Sequence, residues 1–233
     1  MNHSRLVVLA LPLVLLAACV PSFHPLYTEK DLVFEPGLVG VWSEPDKEGT
    51  WTFRPHGDKA YSLTVTDANE RTSRFLAHLL KIDGKLFLDL YPHSEKQGPG
   101  DTTYQDIHYV PAHTFLRVRQ VRPALQMAMM NPRWMIDYLK EHPDALQHVM
   151  DEDEAGRVLL TARPAELQKF ILQHEGAEGF YGDFSNLVWH ALPPEKGEDV
   201  DAAKDASDSA QRTTPAEEPA TDEKPGEASD VAG

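Results

Sequence analysis

Two arginines on one predicted strand have the residue type and spacing to bind an anion. The strand spans residues 114–121, and its alternation puts Phe115, Arg117 and Arg119 on one face. Guanidinium groups match the planar shape of carboxylates and phosphates and bind them through paired hydrogen bonds. If this face lines the inside of a barrel, Arg117 and Arg119 are candidate contacts for an anionic head group.

The opposite orientation of the same strand contains no such site. Leu116 and Val118 would then face the core, and the two arginines would extend into water. Burying two arginines without partners is costly for each charge. The energetics therefore favour this second orientation, and the anion site is the alternative.

The eleven histidines of the chain do not have the spacing of a metal site. His108 and His113 are five residues apart, which puts them on opposite faces of a regular strand. His142 and His148 lie on either side of Pro143, so they do not share one helical face. We therefore expect neither a metal nor a cofactor.

The chain also lacks the sequence motifs of nucleophilic or acid–base catalysis. No Gly-x-Ser-x-Gly sequence occurs. The acidic run Asp151-Glu152-Asp153-Glu154 is typical of a solvated loop rather than of a catalytic pair. We therefore name no catalytic residue, although an enzyme whose residues are dispersed along the chain would show no motif either.

The net charge of -15 at pH 7 argues against nucleic acid as a partner. Binding to a phosphate backbone requires clustered Lys and Arg, whereas this chain has 22 Lys and Arg against 37 Asp and Glu. Anionic lipid head groups would attract it little for the same reason. Attachment to a membrane would therefore need a hydrophobic anchor.

The N-terminal residues have the layout of a secretory signal. Arg5 precedes the apolar run 6–18, and small residues lead to Cys19, the single cysteine of the chain. The run is shorter than the roughly 20 residues that a membrane-spanning helix needs. Its end, Leu16-Ala17-Ala18-Cys19, resembles the lipobox of bacterial lipoproteins, in which the cysteine becomes the lipidated first residue. The resemblance implies that acyl chains on Cys19 attach the protein to a membrane.

The residue after the cysteine bears on which membrane holds the protein. Val20 occupies the position where lipoproteins retained in the inner membrane of enteric-type bacteria carry aspartate. The resemblance therefore implies an exported protein of the cell envelope, anchored in the outer membrane and facing the periplasm.

Composition divides the chain after the signal at 1–18 into three parts. Residues 19–36 combine prolines with apolar residues, which predicts an extended tether lying on the domain surface. Residues 37–192 have the size of one domain. Residues 193–233 contain 12 acidic and four basic residues and almost no large apolar ones, so we predict a disordered acidic tail.

A hairpin is the clearest local prediction within the domain. Two apolar segments, 75–80 and 86–91, flank Asp83 and Gly84. Asp-Gly is typical of two-residue hairpin turns, because both turn residues must adopt positive φ. Both arms are apolar on nearly every residue, which predicts a hairpin at the centre of the sheet.

Helices are expected in the second half of the domain. Asn131 and Pro132 supply a cap and a first-turn proline, and Pro164 begins a second helix. The Met-rich segment 125–130 predicts a further helical excursion, and 187–192 predicts a closing strand. Three apolar residues between the helices are expected to point inwards: Leu146, Val149 and Met150.

The first strands resemble those of a known class of barrels. Gly40 and Trp42 form a Gly-x-Trp sequence, and period-two alternation follows in 50–54 and 61–66. Lipocalin-like small barrels carry Gly-x-Trp on their first strand. The resemblance implies an antiparallel up-and-down sheet or barrel, mainly β, into which the sequence inserts the two or three predicted helices before the last strands. The whole chain also looks like uncharacterised envelope lipoproteins of this build.

Together these features predict a cell-envelope lipoprotein with a non-catalytic binding or interaction role. We expect a small apolar ligand or an envelope protein as its partner. The alternative is an envelope hydrolase or isomerase with a dispersed active site. A pocket with converging polar groups would favour the enzyme, an apolar pocket a carrier, and a filled barrel an interaction module.

Overall fold

A barrel of eight antiparallel strands forms the body of the protein. The computed structural model describes residues 19–45, 47–93, 108–151 and 157–193. In chain order, the strands and helices of this part are β1 (Pro21–Ser22), two short 3-10 helices (Glu29–Asp31 and Pro36–Leu38), β2 (Gly40–Ser43), β3 (Thr50–His56), β4 (Ala60–Thr66), β5 (Thr72–Ile82), β6 (Lys85–Pro92), β7 (His113–Gln120), β8 (Ala124–Met129), α1 (Pro132–Glu141), β9 (His148–Met150), β10 (Val158–Leu160), α2 (Pro164–His174) and β11 (Leu187–His190).

The barrel closes because its last strand pairs with its first. Strands β2 to β7 each pair with the next strand along the chain, and β11 lies between β8 and β2. Both α-helices precede β11 in the chain. The predicted mainly β fold, an antiparallel lipocalin-like barrel with two helices before the last strand, is therefore confirmed.

The predicted hairpin is the β5–β6 pair. Ile82 pairs with Lys85, which leaves Asp83 and Gly84 as a two-residue turn. Their φ angles are 49° and 77°, so both residues have the positive φ that this turn requires. The two arms are buried on both faces, because one face contacts the barrel interior and the other contacts an outer layer.

The Gly-x-Trp sequence has a packing role at the point where the barrel closes. A Cβ atom on Gly40 would lie 2.0 Å from Nε1 of Trp189, so only glycine allows the β11 indole to pack there. Trp42 is fully buried, and its Nε1 donates to the carbonyl oxygen of Leu38 at 2.8 Å. The barrel interior is packed with buried side chains, among them Trp42, Phe53, Tyr61, Leu63, Ala77, Leu79, Leu88, Leu90, Leu116, Val118, Leu125, Met127 and Leu187.

A second hydrophobic core lies outside the barrel, between its wall and the two helices. The side chain of Asn131 accepts a hydrogen bond from the Arg133 nitrogen at 3.0 Å, which confirms the predicted cap of α1. Both helices bury one apolar face in this core. Its members include Leu80, Ile82, Phe87, Phe115, Met135, Leu139, Leu167, Phe170, Ile171 and Phe180.

Two predictions about the second half of the domain are wrong. Residues 125–130, expected to begin a helical excursion, form most of strand β8. Met, Leu and Ala favour helices only weakly, and pairing with β7 and β11 outweighs that preference. Val149, expected to point inwards, is 60% exposed, because β9 lies at the edge of the sheet.

The N-terminal segment lies against the outer wall of the barrel, where part of its apolar surface is buried. Val20 is 3% exposed and Leu26 is fully buried. Strand β1 pairs with both β7 and β10. Val20, Leu26 and Leu32 are thus buried in the core outside the barrel, and this burial fixes the course of the segment.

Several sequence predictions concern residues outside the described ranges. These are the signal at 1–18 with its lipobox residues, the acidic residues 152–154, and the tail from 194 onwards. Among the described residues, no helix combines the length and apolarity that crossing a bilayer requires.

Candidate functional site

Polar side chains converge on the outer wall of the barrel. Because β5, β6 and β7 are paired, their outward side chains form rows across the wall. His78 on β5 lies opposite Asp89 on β6, and two residues further along, Leu76 lies opposite Tyr91. His113, the first residue of β7, stacks against Tyr91 with ring centroids 4.6 Å apart. The wall therefore brings together two imidazoles, a phenol and a carboxylate.

Asp89 and His113 form a buried hydrogen-bonded pair. Asp89 is fully buried and His113 is 8% exposed. Oδ1 of Asp89 lies 2.7 Å from Nδ1 of His113, and Oδ2 accepts a hydrogen bond from the Leu26 nitrogen at 2.8 Å. Since a carboxylate oxygen only accepts, Nδ1 of His113 carries the proton of this bond. Nε2 is the remaining polar atom of the imidazole.

A groove of about 400 Å³ lies over this part of the wall. The N-terminal segment forms one side of the groove, and the residues before β7 form its rim. Phe23 at 49% and Val110 at 65% are exposed there, although both are large apolar residues. The lining consists of Phe23, Pro25, Tyr27, Leu76, His78, Tyr91, Val110, Pro111 and His113.

Burial shifts the pKa of two of the groove's titratable side chains in the direction that favours the neutral form. Burial lowers the pKa of His78, and this effect outweighs the negative charges of Asp89 and Glu29, which raise it. Burial also raises the pKa of the Tyr27 phenol, and the charges of Asp89 and Glu29 raise it further. The two rings pack with centroids 4.5 Å apart.

The groove offers an apolar surface with a few hydrogen-bonding atoms. Its described lining contains no Lys, Arg, Asp or Glu, so the polar atoms belong to imidazoles and phenols. It contains no Ser or Cys either, and hence no usual acyl-transfer nucleophile. An imidazole held by a carboxylate can bind a polar head group or act as a general base.

Arg117 and Arg119 lie on the outer wall but do not form one site. Nε of Arg117 lies 3.3 Å from Oε2 of Glu175, and its Nη1 donates to the backbone of Leu86 at 2.9 Å. The guanidinium of Arg119 lies 3.6 Å from the ring centre of Phe184. Each arginine therefore has its own protein partner, and neither lines the groove.

Cys19 lies where the chain enters the fold. Its side chain is exposed, and Sγ lies 3.4 Å from Sδ of Met129 on β8. The next residue, Val20, is buried, and β1 begins at Pro21. An acyl chain on Cys19 would therefore be attached directly to the barrel wall, without a flexible spacer.

Sequence reasoning considered His113 only as a metal ligand together with His108. Among the described residues, no group of three His, Cys, Asp or Glu could hold a metal ion. The overlooked indication was Asp89, a charged residue within the apolar strand 86–91. Such a residue needs buried partners, and His113 and Leu26 supply them.

Comparison of the chain with protein-family models, with curated proteins and with solved structures finds no match.

Proposed function

We propose that this protein is a cell-envelope lipoprotein that binds a small apolar ligand in the groove on the outer wall of its barrel, without catalysing a reaction. One observation carries the proposal: the barrel interior is packed with buried side chains, whereas the groove outside is open and lined mainly by apolar residues. A ligand of this kind has no room in the interior and finds apolar surface in the groove.

The lipobox resemblance supports the anchoring part of the proposal. Acyl chains on Cys19 would hold the protein in the outer membrane, facing the periplasm. The exposed Cys19 side chain is compatible with acylation. An anchor without a spacer would keep the barrel close to the bilayer, where apolar molecules are concentrated.

Exposed apolar residues at the rim support binding in the groove. Phe23 and Val110 keep apolar surface in contact with water, which is unfavourable unless something covers it. A bound small molecule would cover both residues while filling the groove. An envelope protein that covers the rim without entering the groove is the competing occupant.

Native mass spectrometry of the protein extracted from its host tests the proposal. The expected spectrum contains a co-purifying small molecule that is lost in Leu76→Trp, because the larger side chain would fill the floor of the groove. Ser73→Trp is the matched control, since Ser73 lies exposed on the same strand. A protein partner without a small molecule, or a molecule retained in both variants, would contradict the proposal.

The Asp89–His113 pair favours a second candidate function, an envelope hydrolase or isomerase. His113 would act as a general base on water or on a C–H acid, with Asp89 orienting its ring. Ester and isomerase substrates with apolar chains are the appropriate probes. Turnover that disappears in His113→Gln while ligand binding persists would favour the enzyme over the carrier.

A further inference from the structure

The groove contains an arrangement suited to one specific polar group. Nδ1 of His113 is bonded to Asp89, and no bond from Nε2 to another described residue is present. The rest of the lining is dominated by apolar and aromatic side chains. A ligand that satisfies Nε2 must therefore carry a hydrogen-bonding group at one end and apolar surface along the rest of its length.

We infer that the groove binds a single-chain carboxylic acid whose carboxyl group shares one proton with Nε2 of His113, with Asp89 behind it. The inference rests on the proposed function and names the chemical class of its ligand. His113 would be the contact for the head group, and the apolar lining would hold the chain. Asp89 acts as a positioning residue, since it holds the ring through Nδ1.

The charge of Asp89 determines the protonation of this complex. A free carboxylic acid is ionised at pH 7. If the ligand entered the groove as a bare anion, its carboxylate would lie close to the buried Asp89 carboxylate. The two negative charges would repel each other strongly, because the surroundings screen charge poorly. If one proton accompanies the ligand, the head group and imidazole can bond either as acid and imidazole or as carboxylate and imidazolium. Both forms leave the groove with the same total charge as before binding.

Other titratable groups around His113 do not supply a positive charge in place of this proton. From β6 the neighbours are Asp89 and Tyr91, and from β5 the neighbour is His78. The N-terminal segment contributes Tyr27, with Glu29 close enough to influence His78 and Tyr27. None of these side chains is a lysine or arginine, and burial favours the neutral form of His78 by lowering its pKa, so a carboxylate ligand must take up its proton from solution.

Isothermal titration of the full-length protein in nanodiscs with sodium dodecanoate tests the inference. Titrations at about pH 7 and pH 8, in buffers of different ionisation enthalpy, count the protons bound. We expect one proton taken up per dodecanoate, and binding about tenfold tighter for each unit that the pH falls. Dodecanol should bind without proton uptake. His113→Gln, which keeps an N–H donor for Asp89, should abolish the uptake, whereas His190→Gln on β11 should preserve it.

The outcomes distinguish a failure of the carboxylic-acid inference from a failure of the proposed ligand-binding function. Dodecanoate that binds without proton uptake would overturn the inference and leave the apolar groove intact as a binding site. Uptake that is lost in His78→Gln rather than in His113→Gln would assign the proton to the other imidazole, and would also overturn it. If neither amphiphile binds beyond its partition into empty nanodiscs, the inference and the proposed function both fail. A parent that binds dodecanoate without proton uptake overturns the inference whether or not the variants fold.

Discussion

The Asp89 carboxylate on β6 joins two other parts of the chain, with Oδ1 at 2.7 Å from Nδ1 of His113 on β7. Its other oxygen accepts from the backbone nitrogen of Leu26 at 2.8 Å. One fully buried side chain thus holds a barrel strand and the N-terminal segment against the same wall. The groove lies over this wall, with lining residues from the N-terminal segment on one side and from the stretch before β7 at its rim.

Replacing Asp89 by alanine should destabilise the fold strongly. Asp89→Ala leaves the N–H groups of Leu26 and His113 buried without an acceptor. Each buried donor that loses its partner costs about 1–3 kcal/mol. Asp89→Asn keeps an acceptor oxygen, so its unfolding free energy should fall less than that of Asp89→Ala. Urea unfolding measures both, and Asp58→Ala in the exposed β3–β4 turn should change the unfolding free energy by no more than about 0.5 kcal/mol.

Gly84→Val should weaken the central hairpin through backbone strain alone. Gly84 has a φ of 77°, and a Cβ atom there would meet no atom within 4 Å. The expected loss of about 1–3 kcal/mol therefore comes from forcing a β-branched residue to positive φ.

Gly176→Val is the matched control for that prediction, since Gly176 also has open space around its Cβ position but no positive φ. Thermal unfolding of the two variants separates strain from steric contact. Equal melting temperatures for the two variants would show that the turn tolerates valine.

The barrel could be predicted because its turns and alternation are encoded locally. Asp83 and Gly84 specify the β5–β6 turn, and Asn131 and Pro132 specify the start of α1. These patterns involve residues close in sequence, so their physical meaning does not depend on the rest of the fold.

The location of the groove could not be predicted, because both faces of its strands are buried. On β7, Phe115 at 3% contacts the outer core, while Leu116 at 2% and Val118 at 1% face the barrel interior. Alternation distinguishes the two faces of a strand but does not say which one is inside. The pairing of Asp89 with His113 joins residues 24 positions apart, and no local pattern marks it.

A histidine on α2 should make the fold less stable in mild acid. Burial lowers the pKa of His174, and the nearby His142 lowers it further. The neutral form is therefore favoured in the folded state. Stability from this group is fully present above the ordinary histidine pKa of 6.5 and is lost as the pH falls below it.

His174→Phe tests that prediction, since phenylalanine keeps a ring against Tyr138 and Phe170. The melting temperature should fall less between about pH 7 and pH 5 in this variant than in the parent. His142→Gln removes the smaller of the two causes that lower the pKa of His174. It should therefore reduce the pH dependence of the melting temperature by less than His174→Phe does. If the melting temperatures of the parent and of His174→Phe depend on pH in the same way, the His174 imidazole takes up a proton as readily in the folded state as in the unfolded state.

Acylation of Cys19 should alone account for attachment to the membrane. Buried acyl carbons contribute about 0.8 kcal/mol for each CH₂, so two or more chains anchor a protein stably. Cys19→Ala should therefore carry no acyl label, and it should be released to the soluble fraction or held by its uncleaved signal. Metabolic labelling with a clickable fatty acid, followed by membrane fractionation, measures both.

Because Val20 is buried directly after the anchor, Val20→Ala should weaken packing and still be labelled, which separates loss of the lipid from loss of the fold. Parent protein without label, or found entirely in the cytoplasm, would rule out the lipoprotein assignment and the outer-membrane location that depends on it.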